Sequence, residues 1–469
     1  MTENSQALRI LFGRGAIYTV ALAAQLSAGL ITLPLLTRLL DPEQFGVVAA
    51  ATVIRQILTV VVGLGVPAAI SRFAFDAEDG RGRARALLTT VVAFSIVGAA
   101  LAEVTGPLWS SMFADLQYGS ALRIANWSAV PVVAGLGVLA MLRAEDRAGW
   151  FVTVALISTV ASQLAGLGAL ALFDRTAEWY LGGLTVGYAA AALVGLALYR
   201  PTLRGLSDRT LIRQALVYGS PTVLHALALH VITGGDRVVL ERLDSLEAVA
   251  RYHVAYLIGG LSLALVGALN NAWGPLIFGA APESRWSVLA ATSSVVMRLT
   301  AAVVGGIALA APIGLALGAP DTYASDELVP VVAVVALASI PFTWYIANVH
   351  IIYQVGKTGV LAVVTPLVAA VNIVANFALI PRFGILGAAY ATVGSYMLQS
   401  WLIQRSSKRL ANVEWETTPL LLAAGGGSAL AALGALLPTD GVWLAIRLLG
   451  ALALGLLILR EGRRFTKGG

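Results

Sequence analysis

The sequence has no cysteine and few charged residues, and both absences narrow the class of protein. Without a thiol, this chain of 469 residues has no disulfide, no thiolate nucleophile and no cysteine ligand for a metal ion. Charged residues make up 12% of the chain, whereas a soluble protein carries about 25%. Only three of the 31 basic residues are lysine. Since no polar stretch is long enough to form a separate soluble domain, we predict a single polytopic membrane domain.

Apolar segments of about 20 residues, the length that crosses a bilayer as a helix, recur from one end of the chain to the other. Hydrophobic residues make up 58% of the sequence, and the mean hydropathy is +0.83. The first apolar segment is too long for the core of a cleavable signal peptide and lacks a small-residue cleavage site, so we expect it to remain as helix 1. Between polar breaks we predict about 14 helices, with cores at 16–36, 46–70, 86–108, 122–142, 150–173, 180–199, 215–235, 253–279, 288–317, 328–353, 358–380, 384–403, 418–437 and 442–459.

The basic residues predict how these helices are oriented. With the N-terminus inside, 21 lysines and arginines fall in cytoplasmic segments and six in outer segments. The positive-inside rule therefore predicts an even number of helices with both termini in the cytoplasm. Four arginines lie within the predicted helices: Arg55, Arg123, Arg298 and Arg447. We expect Arg123 and Arg447, which are close to an outer interface, to extend their side chains towards water.

The predicted loops are short, which argues against an enzyme. The longest, around residues 200–213, has fewer than about twenty residues. Membrane-embedded glycosyltransferases, polymerases and ligases generally need a large extracytoplasmic loop or domain, so we expect a carrier, channel or scramblase with no catalytic site and no cofactor. His225 and His230 are five residues apart without acidic or thiolate neighbours, so no metal site is expected.

Two stretches of the sequence about 204 residues apart resemble each other. Gly15 aligns with Gly219 and Arg38 with Arg242, and each stretch places a short acidic linker before a second helix. Six predicted helices separate the stretches, so both copies have the same orientation in the membrane. Parallel repeats of this kind form two lobes related by an axis along the membrane normal, with the binding site between them. We therefore predict a duplicated core.

Three stretches resemble the Wzx-type oligosaccharide flippases of polysaccharide biosynthesis. They are LPLLTRLLDPEQFG in the first two helices, DRVVLERL with the following Tyr252, and GKTGVLAVVTPLVAAVNIVANFALIPRFGILGAAYAT from Gly356 to Thr392. The last is the most specific, because Asn372, Asn376 and GILGAA stand where that family has them. The resemblance extends over the whole chain. It is closer to the O-antigen and exopolysaccharide type than to the lipid II flippases.

The resemblance implies a fold and a function. The family belongs to the MOP exporter superfamily, with the lipid II flippases and the MATE drug exporters. In that superfamily two six-helix lobes form a V and alternate between inward-open and outward-open states. For this chain it implies an N-terminal lobe at 1–205, a C-terminal lobe at 206–405, and helices 13 and 14 with a basic tail at 406–469. The implied function is to move a polyprenyl-(pyro)phosphate-linked oligosaccharide from the cytoplasmic to the outer leaflet of the plasma (inner) membrane.

Arg55 is the leading candidate for contact with such a substrate. A guanidinium near the middle of a transmembrane helix costs roughly 2.5–3.5 kcal/mol on insertion scales, so its presence calls for a function. A guanidinium in a cavity wall offers bidentate hydrogen bonds to phosphate oxygens. The related lipid II flippases also place arginines on early helices facing the cavity. The alternative is that Arg55 snorkels or pairs with a carboxylate inside the first lobe, although no acid lies within helical reach on its own helix.

Further candidates extend the predicted substrate site. Arg298 lies about ten residues into helix 9, where it either faces the cavity or snorkels towards the interface. Arg14, at the cytoplasmic mouth, either attracts anionic substrate or anchors the helix at the membrane surface. Asp236 and Arg237 are expected at the end of helix 7 as a structural ion pair or, alternatively, a coupling site. A side-chain amide within a span either binds sugar hydroxyls or joins helices. We expect Asn270 and Asn271 to contact sugar, and Asn372 and Asn376 to join helices. Both roles stay open for the other amides, which are Gln25, Asn126, Gln163 and Asn348.

Two other functions compete with the flippase hypothesis. A cation-coupled MATE-type drug exporter usually needs an acid deep in a helix, and helices 1 and 2 contain none. A membrane-embedded glycan polymerase or ligase fits the composition but not the short loops. For a flippase, the expected partners are the lipid-linked oligosaccharide, membrane lipids, a polysaccharide polymerase and glycosyltransferases, with no nucleic acid, and the expected state is a monomer.

Overall fold

Helices form the regular structure throughout the part of the chain that the computed structural model describes, residues 29–76 and 78–467. No strand occurs among these residues, which confirms the predicted all-α class. By length and composition, twelve of the described helices are suited to cross a membrane, so the protein is a multi-pass membrane protein. The described part of the first helix and Ile385–Ser407 are not among these twelve, and the count of fourteen stays a prediction.

The described chain divides into two compact units, Met1–His230 and Val231–Gly469, and the division falls inside a single long helix. In the first unit a π-helical turn, Ile157–Ala161, separates α7 from α8. The helices that begin in this unit are α1 (Gly29–Leu39, as far as it is described), α2 (Pro42–Gly63), α3 (Val66–Phe73), α4 (Gly80–Val104), α5 (Gly106–Ser110), α6 (Ser120–Ala144), α7 (Ala148–Leu156), α8 (Ser162–Leu172), α9 (Ala177–Tyr199), α10 (Arg204–Ser207) and α11 (Arg209–Leu243).

The second unit begins within α11 and contains the rest of the chain. Two short 3-10 turns, Asp321–Tyr323 and Ser325–Leu328, lead into α15. The helices of this unit are α12 (Leu246–Gly259), α13 (Leu261–Phe278), α14 (Arg285–Gly318), α15 (Val329–Leu337), α16 (Ser339–Val355), α17 (Gly359–Phe383), α18 (Ile385–Ser407), α19 (Thr417–Leu436) and α20 (Gly441–Lys467).

The two units start their second helices in the same way, at the spacing of the sequence repeat. The Asp41 side chain accepts a hydrogen bond from the Gln44 N–H and caps α2, and the Ser245 side chain accepts one from the Ala248 N–H and caps α12. These N-caps satisfy backbone donors that have no partner within the helix. Since the two caps are 204 positions apart, this local structure supports the predicted duplication.

Each unit has its own apolar core. In the first unit α6 packs against α2, α4 and α9, and the fully buried side chains of Ile70, Leu87 and Met141 lie at the centre. In the second unit α14 packs against α15, α16, α19 and α20. The last two helices thus both contact α14 of the second unit.

Arg447 contradicts the expectation that it extends towards water. Its side chain is fully buried and donates hydrogen bonds to the backbone carbonyls of Gly434 and Leu437, at 2.7 and 2.6 Å. The last carbonyls of a helix lack partners within it, and the guanidinium supplies donors to them. Arg447 also donates a hydrogen bond to the Ala308 carbonyl of α14, at 3.4 Å. Within α14 this carbonyl would accept from the residue four positions later, but that residue is Pro312, which has no N–H. Arg447 thus holds α20 against α14 and α19.

Candidate functional site

Arg55 lies in the middle of α2 and carries a cation without a counter-ion among the described residues. Its guanidinium carbon is 4.9 Å from the centroid of the Tyr188 ring on α9. This is the geometry of a cation–π contact, which holds the group in place without neutralising it. The Nε atom is buried, and no described residue accepts a hydrogen bond from it. The alternative of an ion pair within the first lobe therefore finds no support in the described residues.

A second polar group lies on the neighbouring helices of the first unit. The Tyr180 hydroxyl on α9 donates a hydrogen bond to Oε1 of Gln163 on α8, and the Thr32 hydroxyl of α1 lies 3.5 Å from the same oxygen. Gly187 of α9 packs against Ser162 of α8, so the next residues along the two helices, Tyr188 and Gln163, belong to the same region. Four helices of this unit thus contribute a guanidinium, two phenols, an amide and the Thr32 hydroxyl to one polar group.

The depths of these side chains follow from the helix ends. The Gln44 side chain at the start of α2 accepts a hydrogen bond from the Ala177 N–H at the start of α9, at 2.8 Å, so both helices begin on the same face of the unit. At 1.5 Å per residue, Arg55 lies about 20 Å along α2 from Pro42. Gln163 lies about 14 Å along α8 from its last residue, Leu172, which precedes α9 by a short turn. The Cα atom of Gln163 is therefore nearer that face than the Cα atom of Arg55, by about 6 Å.

Glycines allow α8 and α9 to approach closely enough for the contact between Gln163 and Tyr180. A Cβ atom on Gly183 would lie 2.4 Å from the Ala165 carbonyl oxygen, and one on Gly187 would lie 2.4 Å from the Ser162 Cα. Two glycines four residues apart on α9 thus meet the α8 backbone. Small residues at this spacing allow close helix packing in membranes.

Gly183→Ala is expected to destabilise the protein by about 1–3 kcal/mol, because the added methyl overlaps backbone that cannot turn away. Gly182→Ala is the matched control, since a Cβ there meets nothing within 4 Å. Thermal unfolding of the purified variants in detergent compares the two. Equal midpoints for Gly183→Ala and Gly182→Ala would contradict the close packing of α8 and α9.

Asp236 and Arg237 lie within α11, not at the end of a helix as predicted. The helix continues to Leu243 because the two charges neutralise each other, with Arg237 Nη1 2.9 Å from Asp236 Oδ1. The Tyr252 hydroxyl donates to the other carboxylate oxygen at 2.6 Å. The Arg237 guanidinium lies 4.1 Å from the centroid of the Tyr256 ring. Both charged side chains are almost completely buried, at 0% and 3% exposure, so this is an internal ion pair of the second unit.

The remaining predicted site residues are dispersed. Asn270 on α13 is half-buried, and its side-chain oxygen lies 3.0 Å from Nε2 of His350 on α16. Asn271 and Arg298 are exposed, and neither contacts a polar side chain of the described residues. Arg14 lies outside the described residues. Within the second unit the structure therefore places Asn270 beside a histidine, whereas Asn271 and Arg298 stay apart from that pair.

Asn372 joins α17 to α18, as predicted, whereas the hydrogen bonds of Asn376 stay within α17. Both are fully buried. The Asn372 amide donates to the Ser395 hydroxyl of α18 at 2.9 Å, and the Asn376 amide donates to the Asn372 backbone carbonyl at 2.9 Å. Such hydrogen bonds hold helices together where the bilayer offers no water. Asn126 and Asn348 have similar contacts, with the Ala99 carbonyl and the Ser407 hydroxyl.

Sequence reasoning missed Tyr180, Tyr188 and His350. These residues come from different helices, and no spacing along the chain marks them. The π-helical turn at Ile157–Ala161, which precedes Gln163, was not predicted either. Such turns insert one extra residue into a helix and occur often at functional sites. No group of histidines, aspartates or glutamates among the described residues is arranged to hold a metal ion.

Comparisons with known proteins place the chain in a family and a fold. The profile of the family described as "Polysaccharide biosynthesis protein" matches residues 12–280. A structure of the lipid II flippase MurJ in an inward closed conformation aligns with 97% of this chain and 99% of its own, with a TM-score of 0.72 and 12% identity. An inward-facing multidrug resistance MATE transporter of the MOP superfamily aligns with 83% of this chain over 97% of the transporter's own length, with a TM-score of 0.64 and 16% identity. No curated protein matches the sequence.

Proposed function

Because the chain belongs to the polysaccharide biosynthesis protein family, we propose that it translocates a polyprenyl-(pyro)phosphate-linked oligosaccharide across the plasma (inner) membrane. The lipid tail stays in the bilayer while the glycan and its phosphate cross through a polar path by alternating access. An unassisted crossing would leave many hydroxyls and an anionic diphosphate in hydrocarbon, at a cost of several kcal/mol for each unpaired polar group. The O-antigen or exopolysaccharide type of substrate follows from the sequence resemblance.

The observation that carries this proposal is the unpaired guanidinium of Arg55 inside a spanning helix. A cation without a counter-ion within a membrane span is costly unless it binds an anionic ligand. The diphosphate of the lipid carrier supplies that ligand, and a guanidinium can bind two phosphate oxygens at once. The Tyr188 ring contacts the guanidinium through a cation–π interaction, which leaves the in-plane N–H groups to donate to phosphate oxygens.

The internal ion pair of the second unit argues against the cation-coupled exporter. Asp236 is completely buried, and its carboxylate already receives hydrogen bonds from Arg237 and Tyr252. A carboxylate held in this way is committed to the internal ion pair rather than to binding a sodium ion. The polymerase or ligase alternative lacks support because the described segments between helices are short.

The proposal also assigns an orientation and partners. We place both termini in the cytoplasm, on the basis of the arginine-rich inner segments. Substrate enters from the cytoplasmic leaflet, where glycosyltransferases assemble it, and leaves to the outer leaflet, where a polymerase uses it. The division into two six-helix lobes, 1–205 and 206–405, with a C-terminal appendage at 406–469, is part of the same proposal. The protein acts as a monomer.

Reconstituted proteoliposomes test the proposed function. We expect the wild-type protein to move a fluorescent polyprenyl-pyrophosphate oligosaccharide from a protected to an accessible leaflet, measured as the loss of headgroup protection against a membrane-impermeant quencher. Protein-free liposomes give the background rate. No transport above that background, together with proton- or sodium-linked efflux of small organic cations, would replace the flippase by the drug exporter.

A further inference from the structure

The side chain of Gln163 combines a fixed carbonyl with a free amide group. Its Oε1 accepts a hydrogen bond from Tyr180, which is 2% exposed and therefore held firmly by its surroundings. Its Nε2 contacts none of the described residues, and it is not among the buried polar atoms that lack a partner. The amide nitrogen is therefore accessible at the surface of the first unit, with two N–H donors available.

Local structure determines where this amide points. The π-helical turn directly before Ser162 inserts an extra residue, which rotates the following residues about the helix axis. The Ser162 hydroxyl lies 3.1 Å from the Ile157 carbonyl five residues earlier and supports the wider turn. The glycine contact between α8 and α9 then brings Gln163 against Tyr180. Three independent features of the chain thus act together to orient one amide.

The position of Gln163 relative to Arg55 indicates what it binds. Gln163 follows Ser162, which packs against Gly187 of α9, and the Arg55 guanidinium lies 4.9 Å from the ring of Tyr188, the residue after Gly187. The amide and the guanidinium therefore belong to the same region of the first unit. Neutral N–H donors match the hydroxyl, ring and acyl oxygens of a sugar, whereas a guanidinium matches phosphate.

We propose that the Gln163 amide binds the sugar next to the diphosphate of the translocated lipid, and that Tyr180 positions it. This inference rests on the proposed function and extends it, because it assigns the phosphate and the first sugar to separate groups of the same unit. Arg55 recognises any polyprenyl pyrophosphate. Gln163 distinguishes a glycosylated carrier from a bare one.

Binding of two lipids by the purified protein in detergent tests this assignment. The probes are a polyprenyl-pyrophosphate oligosaccharide and the same polyprenyl pyrophosphate without sugar. Gln163→Met keeps the length of the side chain and removes its donors, so we expect the apparent Kd for the glycosylated lipid to rise about 5–20-fold, as for one or two lost hydrogen bonds. The Kd for the bare lipid is expected to stay within about twofold of the wild-type value.

Two further variants separate sugar binding from helix packing. Tyr180→Phe removes the interhelical hydrogen bond but keeps the amide, so we expect a smaller rise for the glycosylated lipid, about two- to fivefold. Gln404→Met is the matched control, because Gln404 is also half-buried and its amide contacts no described residue; both affinities should remain unchanged. Thermal midpoints of all variants identify any loss of folding.

The outcomes distinguish failure of this assignment from failure of the proposed function. If Gln163→Met binds both lipids as tightly as the wild type, or loses affinity for both equally, Gln163 has no role in sugar recognition and the assignment is wrong. In either case the proposed function stands, provided that the wild type binds the lipids. If the wild type binds neither lipid, both the proposed function and the assignment are overturned.

Discussion

Replacing Arg55 by methionine is expected to reduce translocation of the lipid-linked oligosaccharide by about a hundredfold or more. A hydrogen bond to a charged group is worth about 1.5–3 kcal/mol, and the guanidinium offers at least two to a diphosphate. Removing the cation also leaves the diphosphate without a positive charge in the first unit's polar group. The measurement is the initial rate of headgroup exposure in proteoliposomes containing equal amounts of folded protein.

Two companion variants make the Arg55 result specific. Arg55→Lys retains the charge but not the planar pair of donors, so we expect partial activity, about a tenth of the wild-type rate. Arg298→Met removes another arginine from the interior of a spanning helix, α14, where the side chain is exposed. If Arg298→Met is as damaging as Arg55→Met, then Arg298, the other predicted substrate contact, is needed equally and the special role assigned to Arg55 is wrong. Full transport by Arg55→Met would assign Arg55 a structural role.

Arg237→Met is expected to have the largest effect on stability, a loss of about 3–5 kcal/mol. The substitution leaves the Asp236 carboxylate charged and completely buried, with the Tyr252 hydroxyl as its main donor. An uncompensated charge in the interior costs more than the original pair contributed. Chemical or thermal unfolding of the purified protein in detergent measures the loss.

A double variant distinguishes the loss of the Asp236–Arg237 ion pair from the cost of leaving the Asp236 charge buried and unpaired. Asp236→Asn combined with Arg237→Met removes both charges, and we expect it to recover at least half of the stability lost in Arg237→Met. Arg72→Met is the control for an exposed ion pair, because Arg72 pairs with Asp76 at 2.7 Å with more than half of its side chain exposed; its cost should be below about 1 kcal/mol. If the double variant is no more stable than Arg237→Met, buried charge is not the cause.

The class of the protein was determined by its composition and by the length of its apolar segments. A chain that is 58% hydrophobic and 12% charged, with apolar segments of about 20 residues, crosses a bilayer as helices, which satisfy their own backbone hydrogen bonds. The spacing of the apolar segments predicted the helices, and the repeat at 204 residues predicted that α2 and α12 would begin alike. Arg55 was recognisable from the sequence because a charge within an apolar helix needs no structural context to stand out.

Charged residues near helix ends were harder to interpret from sequence. Arg447 was expected to reach water, and Asp236 with Arg237 was expected to end a helix. Each of these charges is instead buried, since a partner from another helix, or from the preceding turn of the same one, satisfies it. A hydropathy window includes the charged residue but not its partner on another helix, so it assigns such residues to the membrane–water interface.

Tertiary packing decided the composition of the candidate site. Tyr188, Tyr180 and Gln163 lie more than a hundred residues from Arg55 along the chain, and each is an ordinary residue in an apolar helix. Their proximity depends on the π-helical turn before α8 and on the glycines that let α8 and α9 touch. The sequence by itself determined a helical membrane protein with a cation in one of its spans, because hydropathy and charge act locally. Which side chains surround that cation was decided only by the tertiary structure, because helix rotation and the distance between helices depend on residues far apart in the chain.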